Sequence, residues 1–214
     1  MSTAGLRLVN ATAEPATLNG KKGLRVTEKL PAQTSQSPEA QRTTGKALVV
    51  VEGTEFTNGV IEAEIAGAPA PGAPETARGF VGIAFRVQND LGAFEQFYLR
   101  PTNGRADDQE RRNHAVQYSS YPDWLFFRTR KETPSKYEAY VDLVPDVWTK
   151  VRIVVRDAHA RLYVHDQEQP TLIVNDLKMG GQAKGAIALL PGPNSIAYFR
   201  NLKVTLAPNT GGRQ

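Results

Sequence analysis

The chain has 214 residues, 40% of them hydrophobic and 22% charged, with 26 Lys and Arg against 22 Asp and Glu and no cysteine. That length suits one substantial core, and the balance of apolar and charged residues is that of a folded domain rather than a disordered one. Disulfides, thiolate metal sites and a thiol nucleophile are excluded, and a net charge of +4 dispersed along the chain gives no basic run to track phosphates, so nucleic acid is not expected as a partner.

At the amino terminus, MSTAGLRLVN lacks the basic-then-apolar order of a secretory signal. No apolar run approaches the roughly 18 residues of a membrane-spanning helix, so no membrane partner is expected. The chain is therefore expected to be intracellular or to have lost a targeting segment. Strand signals follow in order at Gly23 to Thr27, Ala47 to Val51, Val60 to Ile65, Gly79 to Val87 and Phe94 to Leu99. Between them, Pro31 to Thr44 and Gly67 to Arg78 read as loops, and Asn58-Gly59 and Asn103-Gly104 as turns. Further strands are expected at Tyr137 to Val141, Thr171 to Val174, Gly185 to Leu190 and Ala197 to Val204. The clearest pair is a hairpin, Val151 to Arg156 and Arg161 to His165, in which Val151, Ile153, Val155, Leu162 and Val164 point inward. Trp148, at the head of that hairpin, reads as core. No window carries an apolar stripe at helical spacing over twelve residues, and no fixed-period repeat is present. The pattern predicts an all-β sandwich or jelly roll as a single domain over residues 1–206, with 207–214 as a frayed tail.

Chemistry concentrates after the Phe94 to Leu99 strand. Arg100, Asn103, Arg105, Asp107, Asp108, Glu110, Arg111, Arg112, Asn113 and His114 crowd one connection, and from Arg105 to His114 three cations face three anions. Such a zwitterionic loop suits a neutral, hydroxyl-rich ligand better than a polyanion. Its bland alternative is a loop whose charges pair with one another and with solvent. Asp107 and Asp108 are candidate acid or base groups, working across a groove with Glu95, Glu110 or Asp123 if two carboxylates come within about 5–10 Å. His114 is a candidate base or ligand-binding group. Gln117, Tyr118, Tyr121 and Trp124 follow, Tyr121 and Trp124 being the expected stacking platform for a sugar ring, with the plugging of one sandwich end as the alternative. Glu62 and Glu64 share a strand face, as any half-exposed strand would arrange them. No HxH or HExxH spacing is present, so no transition-metal site is expected.

The phrases FTNGVIEAEIAG (56–67), GFVGIAFRVQ (79–88), FEQFYLRP (94–101), WTKVRIVVRDAHARLYVHD (148–166) and GAIALLPGPNSIAYFRNLKV (185–204) resemble the concanavalin A-like lectin/glucanase superfamily, nearest to its laminin G-like domains and its 3-keto-disaccharide hydrolase-like relatives of family 16 glycoside hydrolases. That resemblance implies two antiparallel sheets of six or seven strands, with carbohydrate bound on a concave face or its rim loops. It also implies an extracellular or periplasmic setting. Family 16 glycosidases place a Glu, an Asp and a second Glu on one strand, and Ile61-Glu62-Ala63-Glu64-Ile65 lacks the middle Asp. Cofactors are not expected. Calcium is held by some relatives through Asp and Asn oxygens, but no Asp-x-Asp-x-Asp-Gly loop is present here. Carbohydrate binding through the Arg100 to His114 and Tyr118 to Trp124 loops is the expected function. The alternatives are a glycoside hydrolase or lyase acting on a polysaccharide or modified disaccharide, and a protein-interaction sandwich.

Overall fold

The computed structural model describes residues 3–29 and 47–207, and the expected loop over 31–44 and the tail beyond Ala207 lie outside the described residues. The strands are β1 (Leu6–Val9), β2 (Ala11–Leu18), β3 (Lys21–Glu28), β4 (Leu48–Phe56), β5 (Gly59–Pro69), β6 (Val81–Val87), β7 (Phe94–Leu99), β8 (Val116–Tyr121), β9 (Glu138–Ala139), β10 (Thr149–Arg156), β11 (His159–Val164), β12 (Leu172–Val174), β13 (Gly185–Pro191) and β14 (Ser195–Leu206). Two short helices, α1 (Gln109–Asn113) and α2 (Phe126–Glu132), flank β8. Among the described residues no helix is long and apolar enough to cross a membrane.

Seven strands form one antiparallel sheet in the order β1-β4-β13-β6-β7-β8-β9, and seven form the other in the order β12-β11-β10-β5-β14-β3-β2. This is the all-β sandwich expected from the alternation, with the two antiparallel sheets that the resemblance to the concanavalin A-like superfamily implies. Val151, Ile153 and Val155 face inward and meet Leu162 and Val164 across the hairpin, all buried in the core that both sheets share. From the first sheet, Val49, Ile83, Phe85, Phe97, Ile187 and Leu189 fill the same space. A second buried cluster, Leu48, Val50, Ala84, Phe94 and Ala188, takes the alternate positions of those strands and so lies on the sheet's other face.

Three strands were not foreseen. β1 is short, and β2 is an edge strand whose Pro15 is tolerated because an edge residue needs no second ladder bond. β8 reads Val-Gln-Tyr-Ser-Ser-Tyr, polar toward both faces, so it shows no apolar alternation, although every residue but the last is buried. Its outward Gln117 meets α2, and its inward Ser120 lies beside Glu95. Of the strand expected at Tyr137 to Val141, two residues pair, Ala139 with Val116 and Glu138 with Gln117.

Trp148 corrects the expectation that it is core. Leu24 and Val26 of β3 point into the sandwich, so Gly23 points out, and a Cβ there would lie 2.9 Å from the Trp148 ring. The indole rests across Gly23 on the outer face, half-buried, edge-on to Tyr198 and with its Nε1 donating to Leu18 O at 3.0 Å. A glycine is needed here because only the missing side chain lets a ring lie this close to the sheet.

Candidate functional site

Beyond Phe94 and Tyr121, the outward positions of β7, β8 and β9 are polar, whereas Leu48, Val50, Ala84 and Ala188 of β4, β6 and β13 make that face apolar. Register sets Gln96 opposite Ser119, Tyr98 opposite Gln117, and Gln117 opposite Glu138. Helix α2 lies over them, and its buried Thr129 accepts from Gln117 Nε2 at 3.3 Å. Gln117 Oε1 accepts from Tyr98 OH at 2.8 Å and from Arg100 Nη2. Arg100 also donates to His114 O at 2.7 Å and pairs with Glu138 Oε1 at 3.1 Å.

Glu138 is the centre of this network. With its side chain 3% exposed, it meets Arg100, Arg130 Nη2 at 2.6 Å and His114 Nδ1 at 2.9 Å. Burial works to raise its pKa, but the Arg130 hydrogen bond and the charges of Arg100, Arg130 and His114 prevail and hold the carboxyl below its usual range. His114 caps the carboxyl end of α1, and its ring nitrogen lies at ion-pair distance from Glu138 without the alignment of a hydrogen bond. Burial pushes the imidazole down from its ordinary value; Glu138 opposes that shift, while Arg130 and Arg100 add to it.

Beside this pair opens a pocket of about 200 Å³ lined by Asn113, His114, Ser135, Glu138, Ala139 and Tyr140. Tyr140 is 43% exposed. Arg112 holds it, its guanidinium 5.0 Å from the ring centroid and its Nη2 2.9 Å from the phenol oxygen. An aromatic face, an amide, a hydroxyl and an imidazole–carboxylate pair thus converge on a space below the roughly 300–1,000 Å³ of drug-sized ligand sites.

Arg100, Asn103, Arg112, Asn113, His114 and Gln117 are brought together here, Asn103 by donating to His114 O at 3.1 Å. The other singled-out residues have different surroundings. Arg105 forms a two-pronged pair with Asp142 at 2.7 and 2.8 Å, Asp107 is exposed, and Asp108 caps α1 by accepting from Arg111 N at 2.8 Å. Arg111 bonds Asn103 and Thr102, so the loop cations pair outside the loop's own acids. Tyr118 follows Gln117 by one residue and therefore points into the sandwich, donating to Glu95. Tyr121 stacks on Phe94 with centroids 5.1 Å apart, and Trp124 carries Arg128 at 3.9 Å and Lys178 at 4.1 Å. Glu138, Arg130 and Tyr140 were not singled out, because Glu138 and Tyr140 sit in what reads as an ordinary strand phrase. Among the described residues no group of three or more His, Cys, Asp or Glu is placed to hold a metal ion.

A family model described as a 3-keto-alpha-glucoside-1,2-lyase-like domain matches residues 19–205. Among solved structures, the chain is similar in fold to the carbohydrate binding module CBM66 from Bacillus subtilis, at 11% identity and a TM-score of 0.54, covering 92% of this chain and 95% of that one. It is likewise similar to a Bacillus subtilis protein of unknown function with a galectin-like fold, at 12% identity and a TM-score of 0.53, covering 93% and 88%. No curated protein matches the chain.

Proposed function

The chain belongs to the family of 3-keto-alpha-glucoside-1,2-lyase-like domains, and from that premise we propose that it binds a single sugar unit in the pocket between α1 and β9. The observation that carries this reading is the pairing of an exposed aromatic face, Tyr140, with the His114–Glu138 pair on the same pocket wall. The apolar face of a pyranose packs on Tyr140, and its hydroxyls meet Asn113, Ser135 and His114. The similarity to a carbohydrate binding module supports the reading at the level of fold.

A second reading, elimination across a 3-keto sugar, is favoured by the state of His114. Its lowered pKa leaves the imidazole neutral at pH 7. A neutral His114 can take the proton from the carbon beside the ketone; the freed electron pair forms the 1,2 double bond as the bond to the departing oxygen breaks, and that oxygen takes a proton from solvent. Glu138 then stabilises the imidazolium.

Thermal unfolding in the presence of monosaccharides and 3-keto-glucosides tests binding. A saturating sugar, at about 100 times its dissociation constant, is expected to add about 2.7 kcal/mol and raise Tm by about 5 °C or more. Tyr140→Ala should remove the shift while leaving the unliganded Tm within about 2 °C, and a full shift in that variant would overturn the site. Mass analysis of the same 3-keto-glucoside mixtures tests elimination. Products formed by the wild type and lost in His114→Ala are expected, and an unchanged mixture removes this second reading but not the first.

A further inference from the structure

The outer face of the β12-β11-β10-β5-β14-β3-β2 sheet carries charge that the pocket does not use. Register arranges it in rows. Glu14 stands opposite Arg25, which stands opposite Tyr198. In the next row Arg200, Glu64 and Lys150 follow one another, with Lys21 Nζ 3.9 Å from Glu64. The third row runs Lys203, Glu62, Arg152 and Tyr163. Arg156 and Arg161 share the outward parity of Arg152 and Tyr163, and both are exposed.

These rows hold eight basic side chains and three acidic ones, and Asp166, bonded to Lys150 at 2.6 Å, makes a fourth acid. That surplus of four equals the surplus of the whole chain, 26 against 22, so the remaining charges balance. The residues dispersed in sequence are gathered on one face. Two of its ion pairs are short, Arg25 with Glu14 at 2.8 Å and Lys150 with Asp166 at 2.6 Å, whereas the central ones are long and shared: Glu64 serves Lys21 and Arg200 at 3.9 and 3.5 Å, and Glu62 meets Lys203 at 3.8 Å. Aromatic rings lie among the cations, Tyr163 under Arg152 at 3.7 Å and Trp148 near Arg200 at 5.6 Å.

We propose that this face binds a polyanionic polysaccharide, a sugar chain bearing carboxylate or sulfate groups. Its cations answer the charged groups, its rings the pyranose faces, and Glu62 and Glu64 accept from hydroxyls between the charges. A nucleic acid duplex fits less well, because a sheet face offers no helix or ribbon to enter a groove, and a single strand fits less well because the central Glu62 and Glu64 oppose a phosphate on every nucleotide. A membrane surface fits less well because Ile173 is the one large apolar side chain of this face that stands well exposed among the described residues.

Binding of polygalacturonate and dextran sulfate at about 0.15 M salt, where charges further apart than about 8 Å are screened, tests the proposal against neutral dextran, single-stranded DNA and anionic vesicles. The wild type is expected to bind both charged polysaccharides and to weaken as salt rises. Arg156→Glu with Arg161→Glu should weaken that binding at least about tenfold, whereas Lys131→Glu with Lys184→Glu, the same charge change elsewhere, should leave it within about twofold. Circular dichroism confirms that both double variants fold. Equal losses in the two, no binding by the wild type, or tighter binding to DNA or vesicles than to the polysaccharides would each overturn the proposal.

Discussion

Replacement of Glu138 by glutamine is expected to destabilise the protein by about 3 kcal/mol at pH 7, the lower end of the cost of leaving a buried charge unpaired. Glutamine keeps the volume and removes the charge that Arg100, Arg130 and His114 share. Arg130 can turn toward solvent, but Arg100 is buried and keeps only its bonds to His114 O, Gln117 and Tyr98. Urea unfolding at several pH values is the measurement. Because the folded carboxyl titrates below its unfolded value, near 4.3, its stabilisation is complete above that pH and is lost as pH falls through the folded value. The gap between wild type and variant should therefore close in acid. A gap under about 1 kcal/mol at pH 7, or one that does not narrow as acid protonates the folded carboxyl, would show that Glu138 does not hold the cluster together.

Arg86→Met is expected to cost at least as much, about 4 kcal/mol, through a different mechanism. Arg86 is fully buried at the end of β6 and donates to Thr57 O at 3.1 and 2.9 Å, Gly180 O at 2.6 Å and Asp157 O at 2.7 Å. One guanidinium thus ties the start of β5, the β10–β11 turn and the segment before β13. Burial lowers its pKa, with Glu95, Tyr118 and Asp157 opposing that shift. Methionine fills the space but leaves three carbonyls without their donor, and lysine cannot rescue them because one ammonium lacks the planar fork. Hydrogen exchange in the variant should rise first at 177–180, which then stays attached through Leu177 N to Ala158 O, Lys178 N to Tyr118 and Met179 N to Glu95. Unchanged exchange there, or full stability in Arg86→Lys, would argue against a fork-shaped lock.

These expectations bear on function through rigidity. The pocket proposed to bind sugar depends on Glu138 staying fixed between two guanidinium groups while His114 faces it, so Glu138→Gln is also expected to loosen the histidine that either reading of the pocket requires. Arg86 acts far from that pocket, at the opposite end of the sandwich strands, and its loss should lower stability before it changes sugar affinity.

Much of the fold was legible because it is local. Val151, Ile153 and Val155 alternate with polar neighbours, and any strand with one buried face must show that period. β8 was hidden for the same reason reversed: with Gln117 and Ser119 satisfied under α2 and with Ser120 inside, polarity no longer marks the exposed face. His114, Arg100 and Asn113 were visible as a dense polar loop, whereas Glu138 and Tyr140 carried no local signal.

The sequence by itself determined the fold class, the hairpin, the absence of thiol chemistry and the loop that supplies Asn113 and His114 to the pocket, since periodicity, turn residues and composition act over a few neighbouring positions. The tertiary structure alone decided which groups meet. Glu138 reaches Arg100 and His114 because β8 pairs with β9 in one register, and a slip of one residue would turn Glu138 to the other face. Trp148 lies outside rather than inside because Gly23, distant in the chain, leaves the sheet flat beneath it. The basic surplus gathers on one face because Arg152, Arg161 and Arg200 share an outward parity in strands that pairing, not proximity in sequence, sets side by side.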